Sequence, residues 1–118
     1  MHTIETNEKE SEFISAYLEA IDFTELGDEG QPPVWAVIDE DFLRESIIDC
    51  LAFYSRIGCY LSPKNITQAG HDFWFTRNGH GVGFWDRPEK YGEAYTKMLT
   101  KIAESFGSAY AVYDEIGE

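Results

Sequence analysis

Basic residues are scarce in this chain. Nine lysines and arginines stand against 22 aspartates and glutamates, a formal net charge of -13 over 118 residues. A field of that sign repels nucleic acid and anionic membrane and favours cationic partners. Long apolar runs are also missing: none approaches the ~20 residues that a membrane-spanning helix requires. The first residues, MHTIETNEKE, are polar and acidic rather than a basic start followed by an apolar stretch. These absences predict a cytoplasmic protein with no membrane contact and no direct nucleic-acid contact.

Cysteine is nearly absent. Cys50 and Cys59 are the only two, and on one continuous helix their spacing places them on opposite sides. The expectation is two reduced packing thiols rather than a disulfide. Sequence patterns that carry chemistry are lacking as well. There is no HExxH, no CxxC, no Walker lysine loop and no GxSxG, so the metal, redox, nucleotide and serine-hydrolase signatures are missing. No metal and no cofactor are predicted.

What the chain does have is acid, and it is unevenly placed. Residues 1–30 carry a net of -8, residues 31–61 a net of -3, residues 62–90 a net of +1 and residues 91–118 a net of -3. The acidic surface is therefore expected on the helices.

Asn7 and Glu10 have capping-box spacing, and Phe13, Ile14, Tyr17, Leu18 and Ile21 fall on one helical stripe, which predicts a helix over Glu8–Asp22. Glu25–Pro33 (ELGDEGQPP) reads as an acidic loop. Val34–Ile38 is a short apolar segment, extended or a lead-in to the next helix. Asp39 is placed as the N-cap of a long helix that ends near Gly58, with Glu40 and Asp41 in its first turn, where carboxylates suit the helix dipole. Ser62-Pro63 opens a short helix that Gly70 is expected to stop.

The densest chemistry follows, in GHDFWFTRNGHGVGFWDR from Gly70 to Arg87. Asn78-Gly79 between two aromatic runs predicts a type I′ hairpin with strands over His71–Arg77 and His80–Asp86. In that register Phe73 faces Phe84, His71 faces Asp86 and Trp74 covers Gly83. Pro88 then opens a helix whose stripe of Tyr91, Tyr95, Met98, Leu99, Ile102 and Phe106 runs to Gly107, and Ala109–Asp114 alternates as a last strand. The predicted fold class is α+β: one domain over residues 1–118, with a small antiparallel sheet, hairpin plus C-terminal strand, packed against three to four helices.

Two groups of candidate site residues emerge. Glu25, Asp28, Glu29, Asp39, Glu40 and Asp41 form an acidic surface able to imitate a phosphate backbone and capture a basic, DNA-binding protein. Trp74, Arg77, His80 and Trp85 are candidate binding residues of the hairpin, whose aromatics otherwise serve as core and whose tryptophans suit subunit contacts in an oligomer. The enzymatic alternative is a small metal-dependent hydrolase or nuclease using His71, Asp72 and Asp86, with a carboxylate orienting an imidazole.

The run HDFWFTRNGHGVGFWDR resembles a motif in small acidic proteins of bacteriophages and mobile elements that have no assigned activity. Weaker similarity extends through Tyr17-Leu18-Glu19-Ala20, the helix around Asp49-Cys50 and Phe106-Gly107. The resemblance implies a phage or prophage setting, in which small acidic proteins inhibit or redirect host factors, and it brings no catalytic residues with it.

Overall fold

A computed structural model describes residues 5–26 and 36–115. Among the described residues, five helices and two short strands follow one another. They are α1 (Glu8–Leu26), β1 (Ala36–Ile38), α2 (Glu40–Ile57), α3 (Ile66–Arg77), α4 (Pro88–Tyr91), α5 (Glu93–Glu104) and β2 (Tyr113–Glu115), with single 3-10 turns at Gly58–Tyr60, Pro63–Asn65 and Phe84–Asp86. Helix dominates, and the sheet is a single antiparallel pair in which Ile38 lies opposite Tyr113.

The starts of the first two long helices follow from local chemistry. Asn7 and Glu10 close a reciprocal capping box: the Asn7 N–H donates to Glu10 Oε1 at 3.0 Å, and the Glu10 N–H to Asn7 Oδ1 at 2.8 Å. Asp39 caps α2 by accepting from the Phe42 N–H at 2.9 Å. Helix α1 runs one turn beyond the expected Asp22, so Glu25 is helical, whereas Asp28 and Glu29 lie outside the described residues.

The predicted hairpin does not form. Its first half is the body of α3 and its second half is a loop ending in the Phe84–Asp86 turn. Ile66, Ala69, Gly70, Phe73, Trp74 and Arg77 are all buried and recur at three- and four-residue intervals, the spacing of one helix face. Asn78-Gly79 is a turn, but it closes a helix. Gly79 has φ +68°, the His80 N–H donates to Phe75 O at 3.0 Å, and the Gly79 N–H donates to Thr76 O at 3.2 Å. That pair of bonds is the Schellman ending of a helix, which demands the same positive φ as a hairpin turn. The last strand consequently pairs with β1 and not with a hairpin.

Gly70 does not stop a helix either; it is buried inside α3, where α3 crosses α1. A Cβ at this position would lie 2.5 Å from Phe13 O and 2.7 Å from the Ala16 Cβ. Backbone on the far side cannot give way, so the two helices meet closely only because residue 70 has no side chain. In an exposed helix Gly→Ala stabilises by ~1 kcal/mol. Here Gly70→Ala is expected to do the opposite, lowering stability by about 1–3 kcal/mol through overpacking, as read from denaturant unfolding.

The core is aromatic. Phe53 and Phe73 stack with ring centres 4.1 Å apart and planes 5° from parallel, and Phe13, Tyr17, Phe84 and Phe106 surround them. The predicted helix after Pro88 is interrupted: Gly92, with φ +91°, separates the single turn of α4 from α5. Of its expected stripe, Tyr91 and Leu99 are buried, Met98, Ile102 and Phe106 pack partly, and Tyr95 is exposed. Cys50 is buried as expected, but Cys59 is exposed, and both are free thiols.

Candidate functional site

Two buried polar clusters fix the geometry around the predicted site residues. Arg77, at the last turn of α3, is buried and spends its guanidinium on four acceptors. Nε donates to Gly107 O at 2.8 Å, Nη2 to Phe106 O at 3.1 Å, and Nη1 to Tyr17 OH at 3.0 Å and to Asp49 Oδ2 at 2.9 Å. Its charge also lies 5.3 Å from the centre of the Phe73 ring. Arg77 thereby ties α1, α2 and α3 to the chain that leaves α5.

Asp72, on the next face of α3, is fully buried. It accepts from Arg87 Nε at 3.0 and 2.9 Å, from Tyr91 OH at 2.8 Å and from Gln68 Nε2 at 3.1 Å. Burial pushes its carboxyl above the ordinary carboxylate range, with the Tyr91, Arg87 and Gln68 bonds pulling against that shift. The Tyr91 hydroxyl is pushed up too, by its own burial and then by the Asp72 charge.

These placements correct several expectations. His71 does not face Asp86; its Nε2 lies 3.3 Å from Glu19 Oε1 on α1, and Asp86 is exposed in the 3-10 turn. With Asp72 sealed among Arg87, Tyr91 and Gln68, the cross-strand juxtaposition behind the hydrolase alternative is gone. Trp74 is 1% exposed, so it belongs to the core and offers no stacking face, whereas Trp85 is 50% exposed. Arg77 is a structural cation rather than a surface contact. Nothing joins Trp74, Arg77 and Trp85 into one exposed platform.

What the fold does bring together is a pair of troughs that share the segment from Ser108 to Tyr110 as a wall. The first, about 360 Å³, is lined by Asp39, Asp41, Glu45 and Asp49, with Arg77, Tyr110 and Val112 among its other walls. Asp41, Glu45 and Asp49 recur every four residues along α2, so their carboxylates follow one face with a rise of about 6 Å between successive positions. Asp49 is matched by Arg77 at 2.9 Å. Arg44 reaches Glu40 at 3.8 Å and Asp41 at 3.5 Å, but it is itself half exposed, and exposed pairs of this kind contribute little. Beside Asp39, the Asp114 carboxyl is pushed up from its ordinary value, first by the neighbouring Asp39 carboxyl and, more weakly, by partial loss of hydration and the Asp39 and Asp41 charges. The trough holds more negative charge than its own cations neutralise.

The second trough, also about 360 Å³, is lined by Glu25, Trp74, Asn78, His80, Ser108, Ala109, Tyr110 and Ala111. The Asn78 amide is held at both ends: its Nδ2 donates to Trp74 O at 3.0 Å, and its Oδ1 accepts from the Ala109 N–H at 2.8 Å. Tyr110 borders both troughs and is 83% exposed.

No family model, curated protein or solved structure matches this chain. Of the predicted binding residues, Asp39, Asp41 and Arg77 line the first trough and Glu25, Trp74 and His80 the second, while Glu40 and Trp85 line neither. Glu45, Asp49 and Tyr110 were not among the expected site residues. The four-residue spacing of Asp41, Glu45 and Asp49 was visible in the sequence, but nothing there showed that the segment ending in Tyr110 would lie alongside it. Among the described residues, no group of three or more His, Cys, Asp and Glu side chains is arranged to hold a metal ion, and no helix is long and apolar enough to cross a membrane.

Proposed function

We propose that this protein is a binding module without catalytic activity of its own, which captures a basic segment of another protein in the acid-lined trough of α2. A protein that itself binds nucleic acid is the natural partner class, because its cationic surface is built for a row of anions. The observation that carries the reading is the row Asp41, Glu45 and Asp49, joined by Asp39, along one wall of a trough whose cations leave it negative. In the phage or mobile-element setting that the resemblance implies, such a protein works in the host cytoplasm by occupying a host or phage DNA-binding protein.

The test uses a fluorescent lysine-rich peptide and titrates it with the protein. Affinity is expected to fall at least about tenfold between about 50 mM and about 0.3 M salt, since screening shortens the reach of exposed charges. The double variant Asp41→Asn, Glu45→Gln is expected to lose a similar factor at low salt, and Asp49 is left in place because it holds Arg77. Neutralising Glu8 and Glu12, which are exposed on α1, serves as the control with matched charge. Equal losses from the two double variants would mean that only net charge matters, and the assignment to this trough would fall.

A further inference from the structure

We propose that the backbone of the captured segment lies in the second trough as an extended strand, adding itself to the edge of the chain between Ala109 and Tyr113 while its cationic side chains reach the acid row of the first. This rests on the charge-driven capture proposed above and supplies the shape of the bound partner.

Strands β1 and β2 are antiparallel with Val37 opposite Asp114 and Ile38 opposite Tyr113. Continuing that register puts Asp39 opposite Val112, and the Asp39 N–H does donate to Val112 O at 2.8 Å. In an antiparallel ladder, alternate residues direct their N–H and C=O toward the paired strand and the residues between direct theirs away. Val112 and Asp114 therefore face β1, and Ala111 and Tyr113 face the opposite side. Ala109 has the same parity, and its N–H does point away from β1, to Asn78 Oδ1 at 2.8 Å. Past Asn78, the outward N–H and C=O of Ala111 have no backbone partner among the described residues. Asn78, Ala109 and Ala111 all line the second trough, so this edge, unpaired among the described residues, borders it.

An open edge of this kind is a template for any extended chain, and strand addition is a recurring way of binding peptides. The surroundings select which chain. Glu25 lines the trough, and Asp22, one turn earlier on α1, accepts from Tyr113 OH at 2.8 Å at the end of the same run. A second copy of this chain would bring another formal charge of -13, whereas a lysine- or arginine-bearing strand meets opposite charge. Tyr110, almost wholly exposed and lining both troughs, offers an aromatic anchor of the type that dominates interface energetics. Because the two troughs share Ser108, Ala109 and Tyr110 as lining, a strand in the second can direct its long cationic side chains past Tyr110 toward Asp39 and Asp41.

The experiment compares two peptides of equal charge and a length of about nine residues. One alternates lysine with valine; the other carries two prolines in place of central valines, which removes the donors needed for a ladder. Strand addition predicts that the first binds at least about tenfold more tightly, and that Ala111→Pro in the protein abolishes the difference. Ala111 donates to no described backbone group, so this variant is expected to fold. Should it unfold, amide exchange on the unaltered protein decides instead: the Ala111 amide is expected to slow on binding of the first peptide only. Equal affinity for both peptides, or an Ala111 amide that exchanges unchanged in the complex, overturns strand addition while leaving charge-driven capture intact. Failure to bind either peptide at low salt overturns the capture on which it rests. A dimer in sedimentation that Ala111→Pro dissociates would give the edge to a second copy and equally overturn the proposal.

Discussion

Arg77→Ala is expected to lower the free energy of unfolding by about 3 kcal/mol, the low end for breaking a buried pair by removing one partner, because the Arg77 side chain is 4% exposed whereas that of Asp49 is 35% exposed. With total stabilities of about 5–15 kcal/mol for a domain, the variant sits near the edge of folding. The guanidinium is the common donor to Tyr17 on α1, to Asp49 on α2 and to the carbonyls of Phe106 and Gly107 after α5. Removing it leaves two backbone carbonyls, a buried phenol and a carboxylate without their partner, and each lost bond exposes a desolvation penalty. Arg77→Lys is expected to recover only a minor part, because one ammonium cannot reproduce a planar fork aimed in several directions. Urea unfolding measures both. An Arg77→Ala protein within about 1 kcal/mol of the parent would show that water replaces the guanidinium at little cost.

The second large effect belongs to Asp72. Its alanine variant is expected to lose about 3 kcal/mol, the low end for a broken buried pair, because Arg87 is still 22% exposed at its side chain and can turn to solvent. Tyr91 cannot, being 6% exposed. Asp72 also makes stability depend on pH. Its folded pKa is raised above the ordinary value, chiefly by burial, so the native state holds a proton more tightly than the unfolded chain, whose carboxylate titrates near ~3.9. The associated stability is complete below that unfolded value and is lost as pH rises through the folded one. Unfolding midpoints of the parent are therefore expected to decline across this acid window more steeply than those of Asp72→Asn, in which the group no longer titrates. The general repulsion of a chain at -13 acts in the same direction but is nearly the same in both proteins. Parallel pH profiles would show that Asp72 titrates alike in the folded and unfolded states.

The caps and the amphipathic stripes of α1 and α2 were legible because each depends on residues within one or two turns of each other. The hairpin was not, and the reason is instructive. Asn-Gly is favoured wherever the backbone needs positive φ, and a Schellman helix ending needs it as much as a two-residue hairpin. Starting the count at His71 leaves an alternating aromatic run; starting at Ile66 reveals a helical face through Ala69, Gly70, Phe73, Trp74 and Arg77. Taking Gly70 as a stop signal hid that face, since glycine at a close helix crossing looks the same in sequence as glycine at a helix end. The partner of the last strand was lost for a related reason: pairing between residues some 75 positions apart leaves little local trace, because register is set by packing and not by neighbours.

From the amino-acid sequence alone came the acid surplus, its concentration away from residues 62–90 and the capped helices. These follow from charge, which is additive along the chain, and from contacts that close within a helical turn. Only the tertiary structure decided that Arg77 and Asp72 are internal ties, that Trp74 is core, and that Asp41, Glu45 and Asp49 share a trough with a distant tyrosine-bearing segment. Such assignments depend on which surfaces lose water when the helices meet, and burial is a property of the assembled fold that no single stretch of residues contains.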